Sequence, residues 1–286
     1  MTEIRTVAVL GAGTMGHGIA QICAAAGMEV RLYDVDTRAV QAGADRVRAN
    51  LDKGIARGKV SEEERDSTLA LLSTETVIAL AVDGADLVVE AAPESMELKA
   101  KIFGEVDQVA PDHAILASNT SSLSISEIAR AVSDPTRFIG MHFFNPVHIM
   151  KLVEVVWGAE TSEATRDAAV AFARLLAKEP IVVRDAPGFA SSRLGIVLGM
   201  EAIRMVEQGV ASPEDIDKAM ELGYRHPMGP LKLTDLVGLD VRLGIAEYLH
   251  DTLGSEAFAP PALLRSMVAE GKLGKKSGRG FYDWTE

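Results

Sequence analysis

The chain has 286 residues, enough for about two domains at roughly 150 residues each. Its 48% hydrophobic and 24% charged residues exclude a disordered chain, and 29 Lys plus Arg against 41 Asp plus Glu leave a net charge of −12 that argues against non-specific nucleic-acid binding. Cys23 is the only cysteine, which excludes an intramolecular disulfide and a multi-thiolate metal centre. The opening residues lead straight into an apolar strand, and the sequence has no 18-residue apolar run. The expectation is a cytoplasmic protein that uses no membrane and no metal.

Ile4–Leu10 reads as a strand, followed at once by Gly11-Ala12-Gly13-Thr14-Met15-Gly16 and a helical pattern that stops near Gly27. Glu29–Tyr33 is the next strand, and Asp34 stands at its end, 23 residues after Gly11. A lone G-x-G-x-x-G is weak evidence, but strand, turn, helix, strand and acid together meet the requirements of a dinucleotide site. Gly11 permits the turn, Gly13 leaves room for a diphosphate, and Gly16 lets helix and strand pack closely. Asp34 would hold ribose hydroxyls and repel a 2′-phosphate, so NAD is expected over NADP. An α/β turn without a cofactor is the plainer alternative.

Residues 36–57 read as a long helix, with a second helix around 62–72. Arg46, Arg48, Lys53, Arg57 and Lys59 form a basic stretch, which is either a solvated face or a contact for a phosphate-bearing ligand. Ala85–Glu90 is read as the third strand, a helix follows over 96–110, and Ala114–Ala117 delivers Ser118-Asn119-Thr120-Ser121-Ser122 at its C-terminal end. Open α/β sheets bind ligands at that end. Residues 124–131 read as a short helix, Phe138–His142 and Lys151–Val156 as strands, 163–177 as a helix, and 180–183 as the strand that closes the sheet.

Past Asp185-Ala-Pro187-Gly188 the strand signal almost vanishes. The expected architecture is therefore α/β. A Rossmann-type dinucleotide-binding domain over 1–185 precedes an all-helical domain over 186–286, with helices at 189–208, 213–222, 231–253 and 260–270. Glu201 falls within a stripe of Leu194, Val197, Leu198 and Met205, where a carboxylate needs a partner or a subunit contact. His142 ends one strand and Glu154 lies twelve residues on, across a turn near 146–150. That spacing could pair imidazole and carboxylate as a general base, the alternative being a structural histidine.

Several runs together carry a family resemblance: Gly11–Gly16, Asp86-Leu-Val-Val-Glu-Ala91, Ser118-Asn-Thr-Ser-Ser-Leu123, Gly140-Met-His-Phe-Phe-Asn-Pro146, Lys151-Leu-Val-Glu-Val155, Pro187-Gly-Phe189, His226-Pro-Met-Gly-Pro230 and Gly274–Tyr282. On these the chain resembles the L-3-hydroxyacyl-CoA dehydrogenases, most of all the stand-alone bacterial 3-hydroxybutyryl-CoA members. The resemblance implies reversible, NAD-dependent oxidation of an (S)-3-hydroxyacyl-CoA to the 3-ketoacyl-CoA by a homodimer assembled through the helical domain. It implies that His142 takes the hydroxyl proton, that Glu154 orients it, and that Ser121 and Asn145 complete the catalytic group. Cofactor contacts would fall on Gly11, Gly13, Thr14, Met15, Gly16, Asp34, Glu94, Lys99, Ser121, Asn145 and Lys276, and acyl-CoA contacts on Asn50, Arg57, Ser121 and Ser192. Ser192 departs from the family's pattern, which has a substrate-binding asparagine there. The shorter side chain leaves open a non-CoA hydroxy acid or sugar acid as substrate.

Overall fold

Short runs rich in valine and leucine make strands, and the computed structural model, which describes residues 4–285, arranges eight strands in one sheet whose two edge strands are largely exposed. The chain divides into two compact units, 1–186 and 187–286. In the first, β1 (Thr6–Leu10), α1 (Gly16–Ala25) and β2 (Glu29–Tyr33) follow the sequence reading closely, as do α2 (Thr37–Ala56) and α3 (Glu62–Ala70). Two elements depart from it. β3 (Leu72–Glu75) and α4 (Ile78–Val82) lie before the strand that was read as third, which becomes β4 (Leu87–Glu90). β3 is an edge strand of sequence Leu-Ser-Thr-Glu with its middle residues exposed, so it has no apolar period to betray it.

α5 (Met96–Asp107), β5 (Ile115–Ser118), the short α6 (Ile125–Ile128), β6 (Phe138–Phe143), β7 (Leu152–Trp157), α7 (Glu163–Leu175) and β8 (Glu179–Arg184) complete the unit. The strand order is β3-β2-β1-β4-β5-β6-β7-β8, parallel throughout except for the antiparallel β6–β7 pair. The order of strand addition switches sides between the parallel neighbours β1 and β4, and the crevice beyond their C-terminal ends is where such sheets bind nucleotides. One face of the sheet buries Val7, Val9, Leu32, Val89, Met141 and Val155 against Ile19 and Cys23 of α1 and Phe172 of α7. On β6 and β7, residues of the opposite parity, including His142 and Glu154, point to the other face.

The second unit contains α8 (Ser191–Glu207), α9 (Pro213–Lys218), α10 (Pro230–Val237), α11 (Leu239–Leu253) and α12 (Ala262–Ala269). The single helix expected over 231–253 is broken at Gly238, whose φ of 105° suits glycine alone. The stripe around Glu201 holds in part: Val197 and Met205 pack against the core and Glu201 is paired, as expected. The buried face of α8 is Ile196, Gly199, Met200 and Ile203, packed with Leu231, Leu239 and Leu264, while Leu194 is 69% exposed. Glu201 is exposed and pairs with Arg204 at 2.9 Å on its own helix.

Two buried acids organise this unit. Asp217 accepts from Leu231 N, Lys232 N and the Tyr282 hydroxyl, and Asp235 accepts from Phe281 N, Tyr282 N and Trp284 Nε1. The tail is thereby fastened to α10. A Cβ on Gly280 would lie 2.1 Å from Asp235 Oδ1, and one on Gly229 2.2 Å from Asp217 Cβ, so both glycines make room for the acids. The His226–Pro230 and Gly274–Tyr282 runs thus have a structural reason independent of chemistry.

Candidate active site

The glycine turn after β1 builds one cavity of the N-terminal unit. It has a volume of about 650 Å³ and is lined by Gly11, Gly13, Thr14, Met15, Asp34 and Ile102 among others. A Cβ on Gly11 would lie 2.7 Å from Ala91 O, and one on Gly16 would lie 1.6 Å from Gly11 O, whereas Gly13 faces open space. Gly11 and Gly16 therefore serve close packing, and Gly13 leaves backbone accessible to a diphosphate. α1 starts at Gly16 with Met15 before it as an N-cap that gives no side-chain hydrogen bond, so its first N–H groups suit an anion. Asp34 Oδ2 accepts from Ala12 N at 2.9 Å, which ties the acid to the turn and leaves Oδ1 for a ribose hydroxyl. These residues fit NAD.

The second cavity, about 290 Å³, is lined by Met15, Glu94, Asn119, Ser121, His142, Phe144 and Asn145 among others. His142 and Glu154 are direct partners in the antiparallel β6–β7 ladder, which places both side chains on one face. His142 Nδ1 lies 2.7 Å from Glu154 Oε2, with the carboxylate fully buried and the imidazole 7% exposed. The carboxylate accepts from Nδ1–H, which leaves the lone pair on Nε2, the nitrogen able to take a proton. Phe144 packs on the ring at a centroid distance of 4.4 Å.

Glu94 is the second organising acid of this cavity. Its Oε1 accepts from Thr120 Oγ1 at 2.7 Å, Ser121 N at 2.9 Å and Ser121 Oγ at 3.1 Å. Lys99 Nζ stands 3.6 Å from Glu94 Oε2 and 2.6 Å from Glu90 Oε1. Lys99 is 1% exposed and Glu90 is fully buried, so Lys99 lies beneath the cavity and not on its wall. Glu90 also accepts from Ala92 N and Ser118 Oγ, each at 2.6 Å.

The third cavity, about 600 Å³, lies between α1, α2 and α3 and is lined by Asn50, Lys53, Arg57, Lys59, Thr68 and His148 among others. Asn50 Nδ2 donates to Gln21 Oε1 at 3.1 Å. The basic stretch divides here. Lys53, Arg57 and Lys59 face the cavity, Arg46 donates to Ala12 O at the glycine turn, and Arg48 sits near Asp66. Lys178, buried in the connection between α7 and β8, donates to Val147 O and Met150 O and so fixes the turn that carries His148 into this cavity. Desolvation, with His17 and Lys178 nearby, holds the His148 imidazole below its ordinary range.

Residues 6–186 match the NAD binding domain of 3-hydroxyacyl-CoA dehydrogenase, and residues 188–284 match its C-terminal domain. The chain belongs to the 3-hydroxyacyl-CoA dehydrogenase family. It is 49% identical over 284 residues to a probable 3-hydroxybutyryl-CoA dehydrogenase of Bacillus subtilis, with 99% of both chains covered. The crystal structure of FadB2 from M. tuberculosis superposes with a TM-score of 0.96 at 44% identity, covering 99% of each chain. That of (S)-3-hydroxybutyryl-CoA dehydrogenase PaaH1 from Ralstonia eutropha gives 0.95 at 44% identity, covering 99% of this chain and 100% of the other.

For a 3-hydroxyacyl-CoA dehydrogenase, most candidate residues of the first unit are distributed over these three cavities. Asp34 and the glycine turn line one, Ser121, Asn145, Glu94 and His142 another, and Asn50 and Arg57 the third. Two candidates lie in the helical unit. Ser192 is half-buried in the first turn of α8, and Lys276 Nζ lies 2.6 Å from the Asp240 carboxylate. Sequence reasoning put Ser118 and Asn119 at the binding edge of the sheet without a role for either, gave Glu90 only as part of a motif, and missed Lys178. Asn119 Oδ1 accepts from Phe143 N at 2.9 Å and so registers β6 beside β5. The available signal was an acid or amide ending an apolar strand at the binding edge of the sheet. No helix of the described residues is long and apolar enough to cross a membrane.

Proposed function

We propose that this NAD-dependent dehydrogenase oxidises (S)-3-hydroxybutyryl-CoA to the 3-ketoacyl thioester through His142 and Glu154. The observation that carries the chemistry is the buried 2.7 Å contact between imidazole and carboxylate on the wall of a cavity shared with Ser121 and Asn145. NAD, when bound, supplies the hydride acceptor. With NAD as acceptor of the C3 hydride, the C3 hydroxyl would give its proton to His142 Nε2 as the C3–H bond breaks, and the C3–O single bond would become the carbonyl double bond. Glu154 fixes the ring and offsets the positive charge that develops on it. Ser121, anchored by Glu94, orients the substrate hydroxyl, and Asn145 lies at the nicotinamide end.

Lys53, Arg57 and Lys59 give CoA phosphates a basic cavity in a chain of net charge −12, with Asn50 as a polar contact. The likeness to the 3-hydroxybutyryl-CoA dehydrogenases of Bacillus subtilis and Ralstonia eutropha supports the four-carbon substrate. In this reading Ser192 and Lys276 serve substrate and cofactor from a helical domain that also forms the homodimer, and the enzyme works in the cytoplasm. Light scattering at twice 30.5 kDa checks the dimer. His142→Gln tests the mechanism. With acetoacetyl-CoA and NADH, kcat falls at least about 10²-fold, the lower range for general acid–base catalysis. A variant that keeps more than half the parent rate overturns it.

A further inference from the structure

His148 reaches the basic cavity between α1, α2 and α3 on a turn that is fixed from two sides. Within the turn, Ile149 N and Met150 N both donate to Pro146 O at 2.9 Å. On one side Lys178 Nζ donates to Val147 O at 2.5 Å and to Met150 O at 2.8 Å. On the other, Val147 is 2% exposed and seats on α1, where a Cβ on Gly18 would lie 2.8 Å from Val147 Cβ. The fold alone therefore sets the backbone that carries His148.

The imidazole itself is uncommitted. No hydrogen bond among the described residues engages its ring, whereas His17, its neighbour on α1, donates from Nδ1 to Gly13 O at 2.7 Å. Charged groups surround it from every element at the cavity. Lys53 and Arg57 come from the end of α2, Lys59 from the connection to α3 and Glu64 from α3, while Lys178 acts from the connection between α7 and β8. Glu64 is the one carboxylate among these, and it is engaged in capping α3, its Oε2 accepting from Ser61 N at 2.7 Å. Partial desolvation, with His17 and Lys178 nearby, holds the His148 ring below its ordinary range and so mostly neutral at neutral pH.

An anion in the cavity reverses that balance. A phosphate held by Lys53, Arg57 and Lys59 attracts a protonated imidazole, and an N–H from that cation makes a charge-assisted hydrogen bond to it. We propose that His148 contacts a phosphate of bound CoA and takes up a proton as it does so, which makes the affinity for CoA thioesters rise as pH falls below neutrality. This rests on the reading that the cavity holds CoA. The sign follows from linkage: a group that binds its proton more tightly in the complex than in the free enzyme makes the complex tighter at lower pH. The window lies between the free and bound proton affinities of the imidazole.

Calorimetry with CoA, which has no keto group for His142 to protonate, tests this in the full-length enzyme, in His148→Gln and in Arg57→Glu with Lys59→Glu. The parent should bind roughly threefold tighter at about pH 6.5 than at about pH 8, the gain when binding raises the proton affinity of an imidazole about tenfold. Titrations in buffers of different ionisation enthalpy should show proton uptake. His148→Gln should lose both the uptake and the difference between the two pH values. Dephospho-CoA names the phosphate: a pH dependence lost with this ligand places the 3′-phosphate at His148, and one retained places the diphosphate there. A parent whose affinity does not rise at the lower pH overturns the proposal, as does a His148→Gln variant that tightens as much as the parent. If Arg57→Glu with Lys59→Glu leaves the affinity for CoA unchanged, the reading of the cavity falls instead. If that variant weakens CoA while the parent and His148→Gln share one pH profile, the cavity reading stands and the role of His148 alone is refuted.

Discussion

Glu90→Gln removes one charge from a buried pair and leaves the other stranded. Lys99 is 1% exposed, with its ammonium 2.6 Å from Glu90 and 3.2 Å from Ala92 O, and the Glu94 carboxylate is farther off at 3.6 Å. Breaking such a pair from one side costs about 3–5 kcal/mol, mostly the penalty of an uncompensated buried charge. For a unit of 186 residues, about 2–4 °C per kcal/mol turns this into a loss of roughly 6–20 °C in Tm. Glu90→Gln with Lys99→Met removes both charges and should recover more than half of that loss. Differential scanning calorimetry, resolving the transition of the N-terminal unit, measures both variants. The coupling also reaches the site, because Lys99 helps hold the carboxylate that anchors Ser121. KM for NADH should rise in Glu90→Gln alongside the drop in Tm. A single variant that melts within 2 °C of the parent, or a double variant no better than the single, refutes the reasoning.

Three further outcomes follow from the same geometry. The parent should favour NADH over NADPH by at least about tenfold in kcat/KM, about 1.4 kcal/mol, and Asp34→Asn should narrow that ratio while keeping an acceptor for Ala12 N. Equal turnover of the two cofactors by the parent contradicts the role of Asp34. Arg57→Glu with Lys59→Glu should raise KM for acetoacetyl-CoA roughly tenfold or more and spare a short thioester that lacks the phosphates; an equal effect on both would remove CoA from this cavity. The Asp107 carboxyl, despite desolvation that works upward, is held below its ordinary range by Ser133 and Arg137, and Asp86 by the N–H groups of Arg5 and Thr6 and by His113. Depressed carboxyls stabilise the fold above the unfolded value near 3.9 and lose that contribution as pH falls through their folded values. Tm should therefore decline below about pH 4, and Asp107→Asn should start lower at pH 7 and decline less.

The features readable from sequence share one property: local chain geometry determines them. A glycine turn between strand and helix has few conformations, and an antiparallel return across a short turn places residues twelve apart opposite one another, as His142 and Glu154 are. What escaped depends on neighbours distant in sequence. β3 takes its place by pairing with β2 and not by its own polar residues. Only some apolar residues of α8 face the core: Val197 and Met205 of the stripe around Glu201 pack against it, while Leu194 is exposed. Lys99 has the position of a cofactor contact, but Glu90, nine residues earlier, draws its ammonium under the floor of the cavity. Asp217 and Asp235 look like ordinary helix acids until the tail returns to donate to them. Buried charge is decided by tertiary partners, and periodicity does not report it.

Glu154→Gln separates the two contributions of that residue. Glutamine keeps the volume and still offers a carbonyl oxygen to Nδ1–H, so the imidazole keeps a partner at the place where Oε2 now lies 2.7 Å away. The negative charge is lost in a site with no exposure to water, where charge interactions are least screened. An imidazole facing a neutral amide takes up the hydroxyl proton less readily, because nothing offsets the charge it gains. Oxidation of (S)-3-hydroxybutyryl-CoA should therefore slow by about 10²-fold or more in kcat, within the range for acid–base catalysis. KM for NADH should change little, since neither oxygen of Glu154 lines the nucleotide cavity. Removing only a transition-state interaction lowers kcat and kcat/KM together. If kcat holds while KM for the acyl-CoA rises, Glu154 acts through the shape of the pocket and the charge is dispensable. If Glu154→Asp, which keeps the charge on a shorter stem, matches the glutamine variant in rate, then position outweighs charge and the electrostatic account fails.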